Sequence, residues 1–176
     1  MKKIKQVVAL FFIIGLVYAC NKDEEEDTLI EVSTISQDLT PYSLNHKDLP
    51  APTISADNQL TVQGVRLGRM LFYEKKLSKD NSISCASCHK QENAFSDTNR
   101  FSTGVRGLNG ARQAMAVFNM AWNENEFFWD GRAHLLRHQS LLPIQDSLEM
   151  DETLEGVIQK LNSSSLYKDQ FIRVFG

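Results

Sequence analysis

Apolar residues fall three and four apart from Leu60 through Gly64, Leu67 and Gly68 to Leu71, with Arg66 and Arg69 off that face, which predicts an amphipathic helix. Its glycines at 64 and 68 would let another helix approach closely. The same period continues beyond it. Ala114, Val117, Phe118 and Ala121 predict a short second helix. Asp130 is placed to cap a third, which carries Leu135, Leu136 and Leu142 and is stopped by Pro143. Asp151 is placed to cap a fourth, with Leu154, Ile158 and Leu161 on one face. Ser164 or Ser165 starts a fifth, with Tyr167, Phe171 and Val174 inward and Gly176 at its end. No segment alternates as a strand does and no internal repeat is visible, so the expected fold class is all-α.

The N-terminus follows a different pattern. Met1-Lys2-Lys3-Ile4-Lys5 is basic and the next thirteen positions from Val7 to Ala19 are almost all apolar. Basic then apolar is the order of an export signal, and the run is short for a bilayer span. It ends Val17-Tyr18-Ala19-Cys20, which resembles a bacterial lipobox in which Cys20 carries the lipid. Ordinary signal cleavage, with Cys20 a spare thiol, is the other reading. Asp23 to Asp27 are five consecutive acids, which repel one another and cannot pack, and Pro41, Pro50 and Pro52 continue the irregular stretch. The expected organisation is a signal peptide at 1–19, an acidic, proline-containing tether at 20–55, and one small domain at 56–176. The chain is then a lipoprotein on the periplasmic side of a bacterial membrane; the acidic tether also resembles segments used for export to the cell surface.

Charge narrows the partners. Residues 1–19 hold three lysines and no acid, so the 19 basic and 22 acidic residues of the whole chain leave a net charge of −6 once that segment is removed. With no basic stripe, nucleic acid is not an expected partner.

The chemistry sits in "SISCASCHKQ", residues 82–91. With Cys20 assigned to lipid, Cys85 and Cys88 are the remaining cysteines. Zinc would need a second pair of ligands at knuckle spacing, and a redox dithiol would expect strands in a βαβ order; neither is present. Outside the cytoplasm, Cys-x-x-Cys-His reads as covalent attachment of a c-type haem. Thiols three apart share one side of a helical turn and can join both vinyl groups of one haem, and His89 then supplies the proximal imidazole. A covalent haem would also staple a domain too small for a large core. His134 and His138, four apart, form a metal-gripping spacing only if a third ligand joins them; otherwise they are a polar helix face.

The stretches "LGRMLFYEKKLSKDNSISCASCHKQENAFSD" (67–97) and "NENEFFWDGRAHLLRHQSLLPIQDSLEM" (123–150) resemble the N-terminal, peroxidatic haem domain of the bacterial dihaem cytochrome c peroxidase family. That family includes relatives that oxidise protein side chains. The resemblance covers residues 60–176 and implies a cytochrome c-like helical domain around one haem. It implies reduction of hydrogen peroxide, with electrons from a small donor protein or from a second haem domain that has no counterpart here. Either the chain is a fragment, or a separate chain supplies the electrons. By the same resemblance Glu149 is the catalytic acid–base, Gln139 orders the distal pocket, and Trp129 lies between the two haems and carries electrons. Core filling is the other reading of Trp129. Asp130, Gly131 and Arg132 would form a turn and ion pair that hold it, or Arg132 would meet a haem propionate.

Two positions depart from the family pattern. Many relatives place a histidine sixteen residues after the motif histidine, where it closes the iron at rest; here that residue is Val105, which cannot bind iron, so the expected distal position is open. The family's Arg-Asn-x-Pro segment, whose asparagine helps bind calcium, is Arg112-Gln113-Ala114-Met115, and a glutamine keeps the carbonyl oxygen but reaches further. The competing function is a monohaem electron-transfer cytochrome c, whose iron would take a methionine such as Met115 or Met120. Both methionines also read as apolar filling.

Overall fold

The computed structural model describes residues 35–123 and 126–176; the signal segment, Cys20 and the acidic run lie outside the described residues. α1 (Val62–Phe72) begins where the Thr61 hydroxyl accepts the Gly64 N–H at 3.0 Å. A single 3-10 turn, Lys75–Leu77, follows. α2 (Cys85–Cys88) is one turn, opened by Ser84, whose N–H donates to the Ser87 hydroxyl at 3.0 Å. α3 (Leu136–Gln139) and α4 (Leu142–Gln145) are equally short. α5 (Leu154–Asn162) is capped by Thr153, and α6 (Ser165–Phe175) starts after Ser164. Among the described residues there is no extended strand, only isolated pairs such as Lys90 with Ser96 and Phe127 with Ala133. The all-α expectation holds. Among those residues, no helix is long and apolar enough to cross a membrane.

α6 packs on both α1 and α5, and α5 also packs on the 75–77 turn. Leu67, Leu77, Ile144, Met150, Leu161 and Tyr167 are buried together, with Met70, Ile83, Phe171 and Val174 packed around them. Each fully buried large apolar side chain there contributes roughly 1.5–3 kcal/mol. The buried polar groups are matched: the Tyr167 hydroxyl donates to Glu74 at 2.6 Å, and Gln170 donates to the Gln63 side chain at 3.0 Å. A Cβ on Gly64 would lie 3.0 Å from the Thr61 hydroxyl and 4.0 Å from Val174, so α1 does approach α6 there; Gly68 has nothing within 4 Å.

Several expected elements differ. The predicted helix over 114–121 is irregular except for the 3-10 turn Met120–Trp122. Its backbone is used elsewhere: Ala114 O accepts from Ser96, Met115 O from His89, and the Val117 N–H donates to Phe95 O. Asp130 caps no helix; it sits in a turn with Gly131 at φ 68°, paired with two arginines. The third helix starts later, after Leu135, and Pro143 stands in the first turn of α4, where its missing N–H costs nothing. Leu135, Leu136 and Leu142 are exposed. Asp151 does not cap α5 either, because its carboxylate is held by Arg106 and Lys79. Ile158, expected inward, faces solvent at 58% exposure, whereas Leu161, Tyr167, Phe171 and Val174 belong to the core as expected. Within the stretch expected as tether, Asp38 N–H donates to Arg173 O at 2.8 Å and Tyr42 N–H to Leu60 O at 3.0 Å, so residues 38–42 are tied to the domain.

Candidate active site

The motif turn is built by local bonds. The His89 N–H donates to Cys85 O at 2.9 Å, closing α2. Cys85 and Cys88 are free thiols, half-buried and one helical turn apart. The chain then reverses through Ala94 (φ 55°) and Phe95 (φ 56°), and Lys90 and Ser96 pair across the reversal. Buried Asp97 fastens it, accepting from Lys90 at 3.2 Å and from the Ser102 hydroxyl at 2.8 Å.

His89 Nδ1 faces two carbonyl oxygens, Met115 O at 2.9 Å and Phe95 O at 3.2 Å. Carbonyls only accept, so Nδ1 carries a hydrogen, which leaves Nε2 as the ring nitrogen for a metal. A backbone carbonyl on one nitrogen is the usual way to orient a histidine whose other nitrogen binds a metal. Burial, the largest influence, pushes both thiols above their ordinary pKa; the Glu149 carboxylate pushes the same way, while the Ser102 hydroxyl partly offsets the effect at Cys88. From Trp129 to Leu142 five large apolar side chains are exposed (Trp129, Leu135, Leu136, Leu141 and Leu142), surface that a ligand or partner would cover. Two thiols on one turn and an oriented imidazole fit a c-type haem.

Glu149 is half-buried in the segment between α4 and α5. Burial raises its pKa above the ordinary glutamate range, Asp146 raises it further, and Arg132 partly offsets this. Its influence on both thiols places its carboxylate within electrostatic reach of the cysteine pair. Its backbone is also held: Glu149 O accepts the Val105 N–H at 2.9 Å. Val105 therefore lies next to the proposed acid–base, on a loop where Gly104 N–H donates to Leu108 O and Gly110 N–H to Ser102 O.

Gln139 ends α3, half-buried, and its side chain hydrogen-bonds neither Glu149 nor His89. Trp129 is 61% exposed, which excludes core filling. Its indole N–H donates to Gln113 O at 2.9 Å, two residues before the carbonyl that orients His89. Arg132 pairs with Asp130 at 2.8 Å and lies 3.6 Å above the Phe128 ring, so the ion-pair reading holds. Arg112 joins the same carboxylate at 2.7 Å. Gln113, the position where calcium was raised, donates its side-chain amide to Asp97 O at 3.0 Å. His134 pairs with Glu126 at 2.8 Å, and the described residues hold no group of three or more His, Cys, Asp or Glu placed for a metal.

Residues 112–117 thus form a strap that orients His89, Ser96 and Trp129 through its backbone carbonyls, with the Arg112 and Gln113 side chains adding bonds to Asp130 and Asp97 O. Sequence reasoning missed this role of the segment, and missed Asp97 and Arg106 altogether; from sequence Asp151 reads as a helix cap.

The family model described as "Di-haem cytochrome c peroxidase" matches residues 62–176. The chain is similar to the cytochrome c551 peroxidase of Pseudomonas aeruginosa, 37% identical over 116 residues, covering 66% of this chain and 33% of that one. It is also similar to the methylamine utilization protein MauG of Methylophilus methylotrophus, 33% identical over 128 residues, covering 73% of this chain and 37% of that one. Among solved structures, a MauG-like protein associated with microbial copper homeostasis superposes with a TM-score of 0.66 at 28% identity, covering 73% of this chain and 39% of that chain. The chain spans about a third of the length of these curated relatives.

Proposed function

We propose a function from one established premise: the chain belongs to the di-haem cytochrome c peroxidase family. Its domain is the peroxide-reducing half of such an enzyme, carrying one haem on Cys85, Cys88 and His89. Bound there, a c-type haem supplies the redox chemistry that reduces hydrogen peroxide, two electrons and two protons giving two waters for each peroxide. The electrons come from a small donor protein or a second haem domain.

The observation that carries this reading is Glu149: a half-buried carboxyl of raised pKa, within electrostatic reach of both motif thiols. Reduction needs a proton moved from one peroxide oxygen to the other, and a positioned carboxyl of elevated pKa suits that task. Glu149 takes the proton as the carboxylate and returns it as the acid, so water leaves. Burial keeps bulk solvent from competing for that proton. Gln139 helps order the distal pocket. Trp129, exposed and tied to the His89 strap, is the electron-entry side chain. The basic and apolar leader and Cys20 support an exported, lipid-anchored protein on the periplasmic side of a bacterial membrane.

Glu149→Gln tests the assignment, because it keeps size and hydrogen bonding but cannot exchange the proton. The haem-loaded variant should react with peroxide about 100- to 10,000-fold more slowly. In the wild type the rate should fall as pH drops through the raised pKa of Glu149, because the first step requires the ionised form. An unchanged rate in the variant would remove Glu149 from the mechanism.

A further inference from the structure

We infer that Arg106 and Asp151 are positioning residues for Glu149: their ion pair locks the 101–110 loop onto the 146–151 segment and fixes the backbone that presents the Glu149 carboxyl. The role rests on the acid–base reading of Glu149; the lock itself rests on geometry alone.

The Arg106 guanidinium meets Asp151 as a two-bond fork, Nε to Oδ2 at 2.8 Å and Nη2 to Oδ1 at 2.6 Å. Such a fork fixes orientation as well as distance. Lys79 joins from a third element, its Nζ 2.9 Å from Asp151 Oδ2 and its backbone N–H 3.0 Å from Met150 O. Asp151 holds a left-handed conformation, φ 50°, which Asp tolerates better than most residues.

Between the fork and Glu149 the two chain segments touch directly. The Val105 N–H donates to Glu149 O at 2.9 Å. A Cβ on Gly104 would lie 2.1 Å from Leu148 O and 2.6 Å from Glu149 O, so only glycine lets the loop lie this close. On the far side, buried Met150 anchors the chain in the core. Glu149 is therefore held between a core side chain and a loop, and the loop meets its segment through one backbone bond and one charged fork. An ion pair at the surface, with its arginine half exposed, adds little to global stability. Here it is placed to act on position, and small displacements of a catalytic group cost large factors in rate.

The test uses the haem-loaded chain. Arg106→Met should speed hydrogen exchange of the Val105 amide about tenfold, the scale of a charged hydrogen bond. It should slow the peroxide reaction about tenfold, with covalent haem content unchanged. Arg106→Lys, which keeps the charge and loses the fork, should recover part of both effects, and Asp151→Asn should reproduce the Met variant. In a Glu149→Gln background, Arg106→Met should still speed exchange but cause no further loss of rate. Unchanged Val105 exchange in both single variants overturns the lock. Faster exchange with an undiminished peroxide rate overturns the positioning role. If Glu149→Gln is itself silent, the acid–base reading falls, and the exchange result alone decides the lock.

Discussion

The strap at 112–117 and the loop at 101–110 both serve the motif turn, and they do so with opposite chemistry. The strap orients His89, Ser96 and Trp129 through the carbonyls of Met115, Ala114 and Gln113. None of those bonds depends on which side chain the strap residue carries. The loop meets the Glu149 segment through one backbone bond and a charged fork between Arg106 and Asp151. Neutral backbone bonds persist through substitution and pH change, whereas charged side chains can be removed or titrated one at a time. The orientation of His89 is therefore the constant part of this site, although Asp97 and Lys90 add a charged pair beside it, and the acid–base side is the part that a sequence can tune.

The largest break in that contrast removes what both sides surround. Cys85→Ala together with Cys88→Ala should abolish covalent haem and most of the helical signal. The two thiols sit on a four-residue helix with no buried side chain of its own. A double variant that retains haem through acid extraction would refute covalent attachment; one that keeps its full helical signal would show that the core beneath α1, α5 and α6 folds unaided.

A second substitution asks whether the loop is as fixed as its contacts suggest. Val105→His places an imidazole where many relatives carry one, but the Val105 N–H is bonded to Glu149 O and Gly104 lies against the same backbone. The single variant should keep the high-spin ferric signal expected of wild type in electron paramagnetic resonance. Val105→His with Arg106→Met should shift a large part of it to low spin, because the freed loop can carry the imidazole to the iron. A low-spin signal in the single variant would mean that the lock does not restrain the loop. If the wild type itself were low-spin, with the signal lost in His134→Ala or His138→Ala, the open-site expectation would be withdrawn.

What was legible in the sequence divides along the same line. The 3.6-residue period identified α1, α5 and α6 because their burial depends on side chains, and Cys-x-x-Cys-His was readable because covalent chemistry demands those residue types. The period over Ala114, Val117, Phe118 and Ala121 misled, because the Ala114 carbonyl and the Val117 amide bond to Ser96 and Phe95 rather than within a helix. Asp130 and Asp151 looked like helix caps; the local pair of Asp130 with Arg132 was legible, but the partners Arg112 and Arg106 lie far away in sequence. A capping signal is local, whereas an ion pair formed across the fold leaves no local trace. Glu149 and Trp129 were found only through resemblance; spacing alone gave neither a role.

The smallest expected effect separates the two sides by pH. The Arg106 and Lys79 cations hold the Asp151 carboxyl down to about 2, from an ordinary value of 3.8. A lowered folded-state pKa means that the unfolded chain takes up the proton first. The contribution of Asp151 is then fully present above about pH 4 and is lost as pH falls toward 2. Val105 exchange, corrected for its intrinsic pH dependence, should therefore accelerate as pH falls through that window, and in Asp151→Asn it should start fast and show less change. Asp97 also has a lowered pKa and supports the motif side, so the wild type alone would mix two titrations. The difference between wild type and Asp151→Asn isolates the lock. The Val117 amide, bonded to Phe95 O in the strap, supplies the internal reference, since its partner does not titrate. If the Val105 curve of Asp151→Asn runs parallel to that of wild type across the window, the loop is not held by charge, and the distinction between a constant His89 orientation and a tunable acid–base side loses its physical basis.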